Sequence, residues 1–242
     1  MKSDEQKTRG IVLRTVKVGD TKLIVDLLTR EGGRLSVFTK VSSSASGRMR
    51  RQMFQPLTVL DLDIRRSPRQ QMALIDDMRI ALPYSSIPLD GVKMSLVFFL
   101  AEFLSLTTRD MQPDRNFYDF IEQSLEWLDS SSRGLANFHL MMMMRMSAFL
   151  GFYPDITDYS PGCCFDLREG RFVVQAPFHT DFLKQKEAED IRLLMRMNHS
   201  NLHLFRFTRE ERRRIIDVIL HFYRLHIPGF NEMKTLEILR AM

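Results

Sequence analysis

Residues 9–77 alternate between apolar and polar positions with period two, the pattern of strands that bury one face. Ile11, Leu13 and Thr15 form a first run, Leu23, Val25 and Leu27 a second, and Leu35, Val37 and Thr39 a third. Gly19-Asp20 separates the first two runs and Glu31-Gly32-Gly33 the next two. Both breaks suit hairpin turns, because glycine reaches positive φ without steric cost. Thr58, Leu60, Leu62 and Ile64 make a fourth run, and a weaker fifth includes Met72 and Leu74. Five short strands of this kind predict a small Greek-key barrel of the OB type, with an SH3-like barrel as the alternative. Between the third and fourth runs lies Val41-Ser42-Ser43-Ser44-Ala45-Ser46-Gly47-Arg48-Met49-Arg50-Arg51, which reads as a flexible loop ended by three arginines.

After Pro83 the period becomes 3.6. Phe117, Phe120, Ile121, Leu125 and Leu128 fall on one helical face, with Pro113 at a position a first turn tolerates. Leu135, Phe138, Met142, Met146 and Phe149 form another stripe, closed by Gly151 and Pro154. Thr208-Arg209-Glu210-Glu211 is a capping box that opens a helix carrying Ile215, Ile216, Ile219, Phe222 and Tyr223, and a short helix from about Met233 ends the chain. Phe165 to Val174 reads as a hairpin with its turn at Glu169-Gly170. The expected fold class is therefore α+β and multidomain. An OB-type barrel over residues 1–82 precedes a helical domain over 83–242, with a hairpin insertion near 163–175.

Charge changes this picture by its distribution. Of the net +5, residues 1–82 supply +7, from 16 Lys and Arg against 9 Asp and Glu, while the remainder holds 19 against 21. From Gly32 to Leu60 there is no acidic residue, yet Arg34, Lys40, Arg48, Arg50 and Arg51 fall inside that window. Such a segment repels itself unless an anion lies against it, and nucleic acid is the usual one. The candidate nucleic-acid-binding residues are Arg14, Lys17, Arg34, Lys40, Arg48, Arg50 and Arg51. The barrel has few aromatics for stacking, with Phe38 and Phe54 its only Phe and neither Trp nor Tyr before Tyr84, so electrostatic contact is expected to dominate.

Enzyme signatures are missing: there is no Walker loop, dinucleotide glycine turn, nucleophile elbow or His-Glu-x-x-His helix, so no catalytic residue is assigned. The only two cysteines, Cys163 and Cys164, are adjacent and point to opposite sides of an extended chain, which does not make a tetrahedral zinc site. No cofactor and no metal ligand are expected. The greasiest stretch, Val92 to Leu106, carries Lys93 and Glu102, so no membrane span is expected, and the first residues, Met1 to Lys7, lack the apolar core of a secretory signal. Two cysteines also fit a reducing, cytoplasmic setting.

Gly10-Ile11-Val12-Leu13-Arg14, Leu27 through Lys40, Gln55-Pro56-Leu57, His226-Ile227-Pro228-Gly229-Phe230 and Lys234 through Leu239 together resemble the RecO family of DNA recombination and repair mediators. The resemblance spans essentially the whole chain, and its order of barrel then helices agrees. It implies a nucleoid-associated protein that binds single- and double-stranded DNA, anneals complementary strands, and works with RecR to load RecA onto strands coated by single-stranded-DNA-binding protein. Family members commonly carry a four-cysteine zinc site, and Leu150 to Pro177 occupies that place here without the paired cysteines. The acidic, apolar-ended tail of single-stranded-DNA-binding protein is expected to dock on the helical domain, with Arg145, Arg209, Arg213 and Phe222 as the candidate protein-binding residues. A basic-barrel RNA-binding module and a non-catalytic protein scaffold are the alternatives.

Overall fold

The computed structural model describes residues 4–42, 44–66 and 72–241. Residues 1–3 and Ser43 of the expected loop lie outside the described residues. Strands β1 (Asp4–Val18), β2 (Lys22–Thr29) and β3 (Gly33–Lys40) are followed by helix α1 (Ala45–Gln52) and strands β4 (Val59–Arg66) and β5 (Ala73–Leu82). The five strands close a barrel in the order β1-β2-β3-β5-β4, with β3 and β5 parallel at Val37–Ala73 and Phe38–Leu74 and all other pairs antiparallel. This is the OB-type barrel, and both hairpin turns fall where glycine marks them, with φ of 69° at Gly19 and 64° at Gly33.

Long β1 serves two neighbours, pairing with β4 from Asp4 to Ile11 and with β2 from Gly10 to Val18. Where the two partners overlap the strands approach closely: a Cβ on Gly10 would stand 3.2 Å from Leu62 Cδ1. A bulge between Val12 and Arg14 then turns Val12 into the barrel core with Leu23, Val25, Leu27, Val37, Leu60, Leu62 and Ile64. Ile11 and Leu13, expected as the inner face, are buried outside the barrel, under helix α2 (Gly91–Thr107). The fifth strand also departs from expectation. Ala73 and Ile75 face the core, while Met72 precedes the strand and is exposed.

The expected flexible loop is helix α1. Ser44 caps it by accepting from the Gly47 amide at 3.2 Å, and Arg50 and Arg51 lie in the last turn, where the helix dipole favours cations. Gly47 is needed for packing, because an added Cβ would collide with the Ser42 carbonyl.

α2 is apolar on nearly every side, as a helix buried all round must be, and is capped by Asp90. Helix α3 (Arg115–Ser130) starts after Asp114, which accepts from the Asn116 and Phe117 amides. Pro113 therefore stands before the cap instead of in the first turn. Two compact units result, Met1–Ser130 with Met233–Met242, and Ser131–Glu232. The change of period at Pro83 thus does not coincide with the division by compactness, which groups α2 and α3 with the barrel.

The second unit holds α4 (Leu135–Phe149), a small sheet of β6 (Cys164–Asp166), β7 (Arg171–Val173) and β8 (Phe182–Leu183), α5 (Gln185–Met195) and α6 (Arg209–His226). The capping box at Thr208 is complete, with Glu211 accepting from the Thr208 amide at 2.8 Å. The β6–β7 turn ends at Gly170, φ 66°, as its sequence predicts. α7 (Leu236–Ala241) returns to the first unit. Among the described residues no helix is long and apolar enough to cross a membrane.

Candidate nucleic-acid interface

Most of the described cations of the barrel fall into two sets. One set is bound internally. Arg9 donates from Nε to Asp61 at 2.8 Å and from Nη1 to Glu122 at 2.9 Å, Arg30 makes a two-pronged contact with Asp119 at 2.7 and 3.0 Å, and Arg65 reaches Asp76 at 2.8 Å. The Arg9 hydrogen bond, joined by Arg79, holds the Asp61 carboxyl below the usual range, and Arg30 does the same for Asp119. These arginines tie β1 to β4 and α3, the β2–β3 turn to α3, and β4 to β5.

The other set gathers around the β1–β2 turn and α1. Arg14 and Lys17 lie on β1, exposed over 63% and 60% of their side chains, with weak contacts to Asp26 at 3.4 Å and Asp20 at 3.8 Å. Arg51 reaches back to the Asp20 carbonyl at 3.5 Å, so α1 and the turn present their charges side by side. Exposed Lys40 stands opposite exposed Lys22 in the β2–β3 register. Two ammonium groups directly across a ladder repel, which an anion between them would relieve. Lys22 was not among the sequence candidates; its signal is positional, since it opens β2 after the Gly19 turn. Arg48 is exposed and Arg50 half-buried on α1.

Arg34 does not join this group. Its guanidinium, 19% exposed, donates to the Ser105 carbonyl on α2 at 2.6 Å and to Asp26 at 3.3 Å. It is an internal bracket between β3 and α2, which sets it apart from the exposed cluster.

Arg14, Lys17 and Arg51 also line a cavity of about 680 Å³ in the first unit, floored by apolar side chains that include Phe54 and Phe98.

In the second unit, the expected docking residues separate. Phe222 is 1% exposed and packs edge-on against Phe152 and Phe165, so it is a core residue without surface to offer. Met141 to Met144 and Met146 are buried as well. Arg145 donates to the carbonyls of Met197 at 2.8 Å and Met195 at 3.4 Å. Arg209 and Arg213 are exposed on α6.

The residues where the family's zinc site would lie do not fit that metal. Cys163 is buried and Cys164 sits in β6 opposite Val173, while the nearby acids form separate pairs, Asp166 with His179 at 3.3 Å and Asp181 with His221 at 2.9 Å. Among the described residues no three His, Cys, Asp or Glu side chains converge as metal ligands would.

Comparison with known proteins agrees with this geometry. The family model described as Recombination protein O N terminal matches residues 1–84, and Recombination protein O C terminal matches residues 88–236. The chain is 40% identical over 237 residues to the DNA repair protein RecO of Phocaeicola vulgatus, covering 98% of each chain. It is 37% identical over 238 residues to that of Bacteroides fragilis, again covering 98% of each. With that of Porphyromonas gingivalis it shares 33% identity over 240 residues, covering 97% of this chain and 98% of the relative. A closed five-stranded barrel with clustered cations, followed by helices and a small sheet, and matched over nearly its full length in this way, places the chain in the recombination protein O family.

Proposed function

We propose that this protein is a non-catalytic DNA repair and recombination mediator that binds single- and double-stranded DNA through the β1–β2 turn and α1 and anneals complementary strands. The observation that carries the reading is the clustering of Arg14, Lys17, Lys22, Lys40, Arg48, Arg50 and Arg51 around the β1–β2 turn and α1, while Arg9, Arg30, Arg34, Arg65 and Arg79 are held by acids of the same fold. Two strands repel through their phosphates, so a cationic surface that screens both while leaving the bases free speeds their pairing. Such a protein acts in the cytoplasm on nucleoid DNA. With RecR it helps RecA onto strands covered by single-stranded-DNA-binding protein. The acidic tail of that protein meets the Arg209 and Arg213 face of α6, without Phe222.

The test is binding and annealing by the full chain across a salt series. Neutralising about five phosphates on single strands gives a log–log slope of roughly −3.5. A flat salt dependence, or RNA bound more tightly than DNA of equal length, would remove this reading.

A further inference from the structure

The cavity beside the cationic cluster is built differently from an electrostatic surface. Its walls come from β1 (Leu13, Arg14, Lys17), the segment after α1 (Phe54, Gln55, Pro56), α2 (Phe98, Glu102) and the stretch before α7 (Lys234, Thr235). Phe98 is 36% exposed on a helix otherwise buried almost all round, and it looks into this opening. Water against an aromatic face is unfavourable, and among the described residues none covers this exposed third of the ring. Around the apolar floor stand Arg14, Lys17, Arg51, Arg109 and Lys234.

The single acid of the lining, Glu102, is turned to the wall. Its carboxylate accepts from the Lys234 amide at 3.0 Å and from the Thr235 amide and hydroxyl at 2.8 and 2.6 Å. It fixes the segment that brings Lys234 to the rim.

An apolar floor with an exposed aromatic, ringed by cations and continuous with α1 through Arg51, matches one chemistry closely: a flat heteroaromatic ring on a chain of phosphates. We infer that this cavity captures an unstacked base of single-stranded DNA, with Phe98 as its stacking face and Arg14, Arg51 and Arg109 on the flanking phosphates. A volume of about 680 Å³ is within the usual range for pockets that take one small ligand. Bases in a duplex are already stacked and paired, so the cavity distinguishes single strands where the surrounding cations do not. The inference rests on the DNA-binding reading above and adds to it a contact with the base itself.

The experiment compares the full chain on oligodeoxythymidylate and on abasic strands of equal length, at several salt concentrations. The wild-type protein should bind the base-bearing strand about tenfold more tightly, the size expected for one stacked base. Phe98→Ala and Phe98→Leu should reduce that affinity to the abasic level while leaving the abasic affinity and the salt slope unchanged. Phe98→Leu guards against a packing defect, since it keeps the apolar volume, and Phe98→Trp should preserve the preference. Equal affinity of the wild type for both strands, with a steep salt slope, would overturn the cavity and leave DNA binding standing. No binding to either strand at low salt would overturn both. Suppose instead that an acidic peptide ending in Phe binds wild type and not Phe98→Ala, while the strands are not distinguished. The cavity would then belong to a protein partner, and the inference would fall.

Discussion

Replacing Arg34 by Ala separates a structural arginine from a DNA-binding one. The guanidinium is four-fifths covered, and it holds the Ser105 carbonyl at 2.6 Å and the Asp26 carboxylate at 3.3 Å. Truncation leaves Asp26, 9% exposed, with Ser36 at 2.6 Å and Arg14 at 3.4 Å as its remaining partners. Removing one partner of a buried pair costs about 3–5 kcal/mol when the other is left alone, and these two contacts reduce that to about 2–3 kcal/mol. Trp127 is the only tryptophan and lies on α3 in the same compact unit, so its fluorescence during urea unfolding reads the relevant part of the chain. The midpoint should fall by about 1 M, with urea slopes of about 2–3 kcal/mol/M. On single-stranded DNA the same variant, assayed while folded, should keep the wild-type salt slope. The triple Arg48, Arg50 and Arg51 alanine variant should show the reverse, near-normal stability and a slope shallower by about 2. A stable Arg34→Ala protein whose slope drops by about 0.7 would mean that Arg34 meets a phosphate, and the bracket between β3 and α2 would be refuted.

Three further outcomes follow from particular groups. Burial alone would raise the Asp129 pKa, but the amides of Ser85, Ile87 and Ser86 donate to its carboxylate and hold it well below 3.8. Its contribution is therefore full above that ordinary value and is lost as pH falls below it, and Asp129→Asn should destabilise the Trp127 transition by about 1–2 kcal/mol at neutral pH; an unchanged transition would refute a stabilising role for these hydrogen bonds. Burial depresses the His139 pKa from 6.5 to about 3, so the unfolded chain binds the extra proton between those values. Stability of the unit containing α4 should fall as pH drops from 6.5, by up to about 1.4 kcal/mol per pH unit, and His139→Phe should flatten that limb in hydrogen exchange of α4 amides. Protein purified without chelators should contain no stoichiometric zinc by elemental analysis, because Cys163, Cys164, His179 and His221 do not converge; a full equivalent would show that they do.

How much of the fold could be read in advance depends on whether the deciding contact is local. Gly19 and Gly33 marked the hairpin turns because positive φ is a property of the residue itself. The Thr208 capping box was equally legible, since both of its hydrogen bonds close within four residues. α1 was missed although its signal was also local: Ser44 followed by Gly47 was read as flexibility, when the serine caps and the glycine packs. β1 misled for a different reason. Ile11, Val12 and Leu13 are all buried because α2 covers the outer face, and alternation carries no information where both faces are covered.

The candidate site follows the same division. The cluster of Arg14, Lys17, Lys40 and the α1 arginines was legible because an excess of like charge along a short segment survives folding as a patch on one side. Arg34 shared the composition of that segment and not its exposure, because its partners Asp26 and Ser105 are 8 and 71 residues away along the chain. Phe98 and Phe222 show the same limit in opposite senses. Both occupy apolar helical stretches, yet packing closes over Phe222 and leaves Phe98 open at 36% exposure. Apolar periodicity says which side chains leave water in general, and only the neighbours that the fold supplies decide which aromatic is left to meet a ligand. A stacking face was therefore absent from the barrel's own sequence because α2 contributes it from outside the barrel, which makes the recognition surface a property of the whole first unit and not of its strands alone.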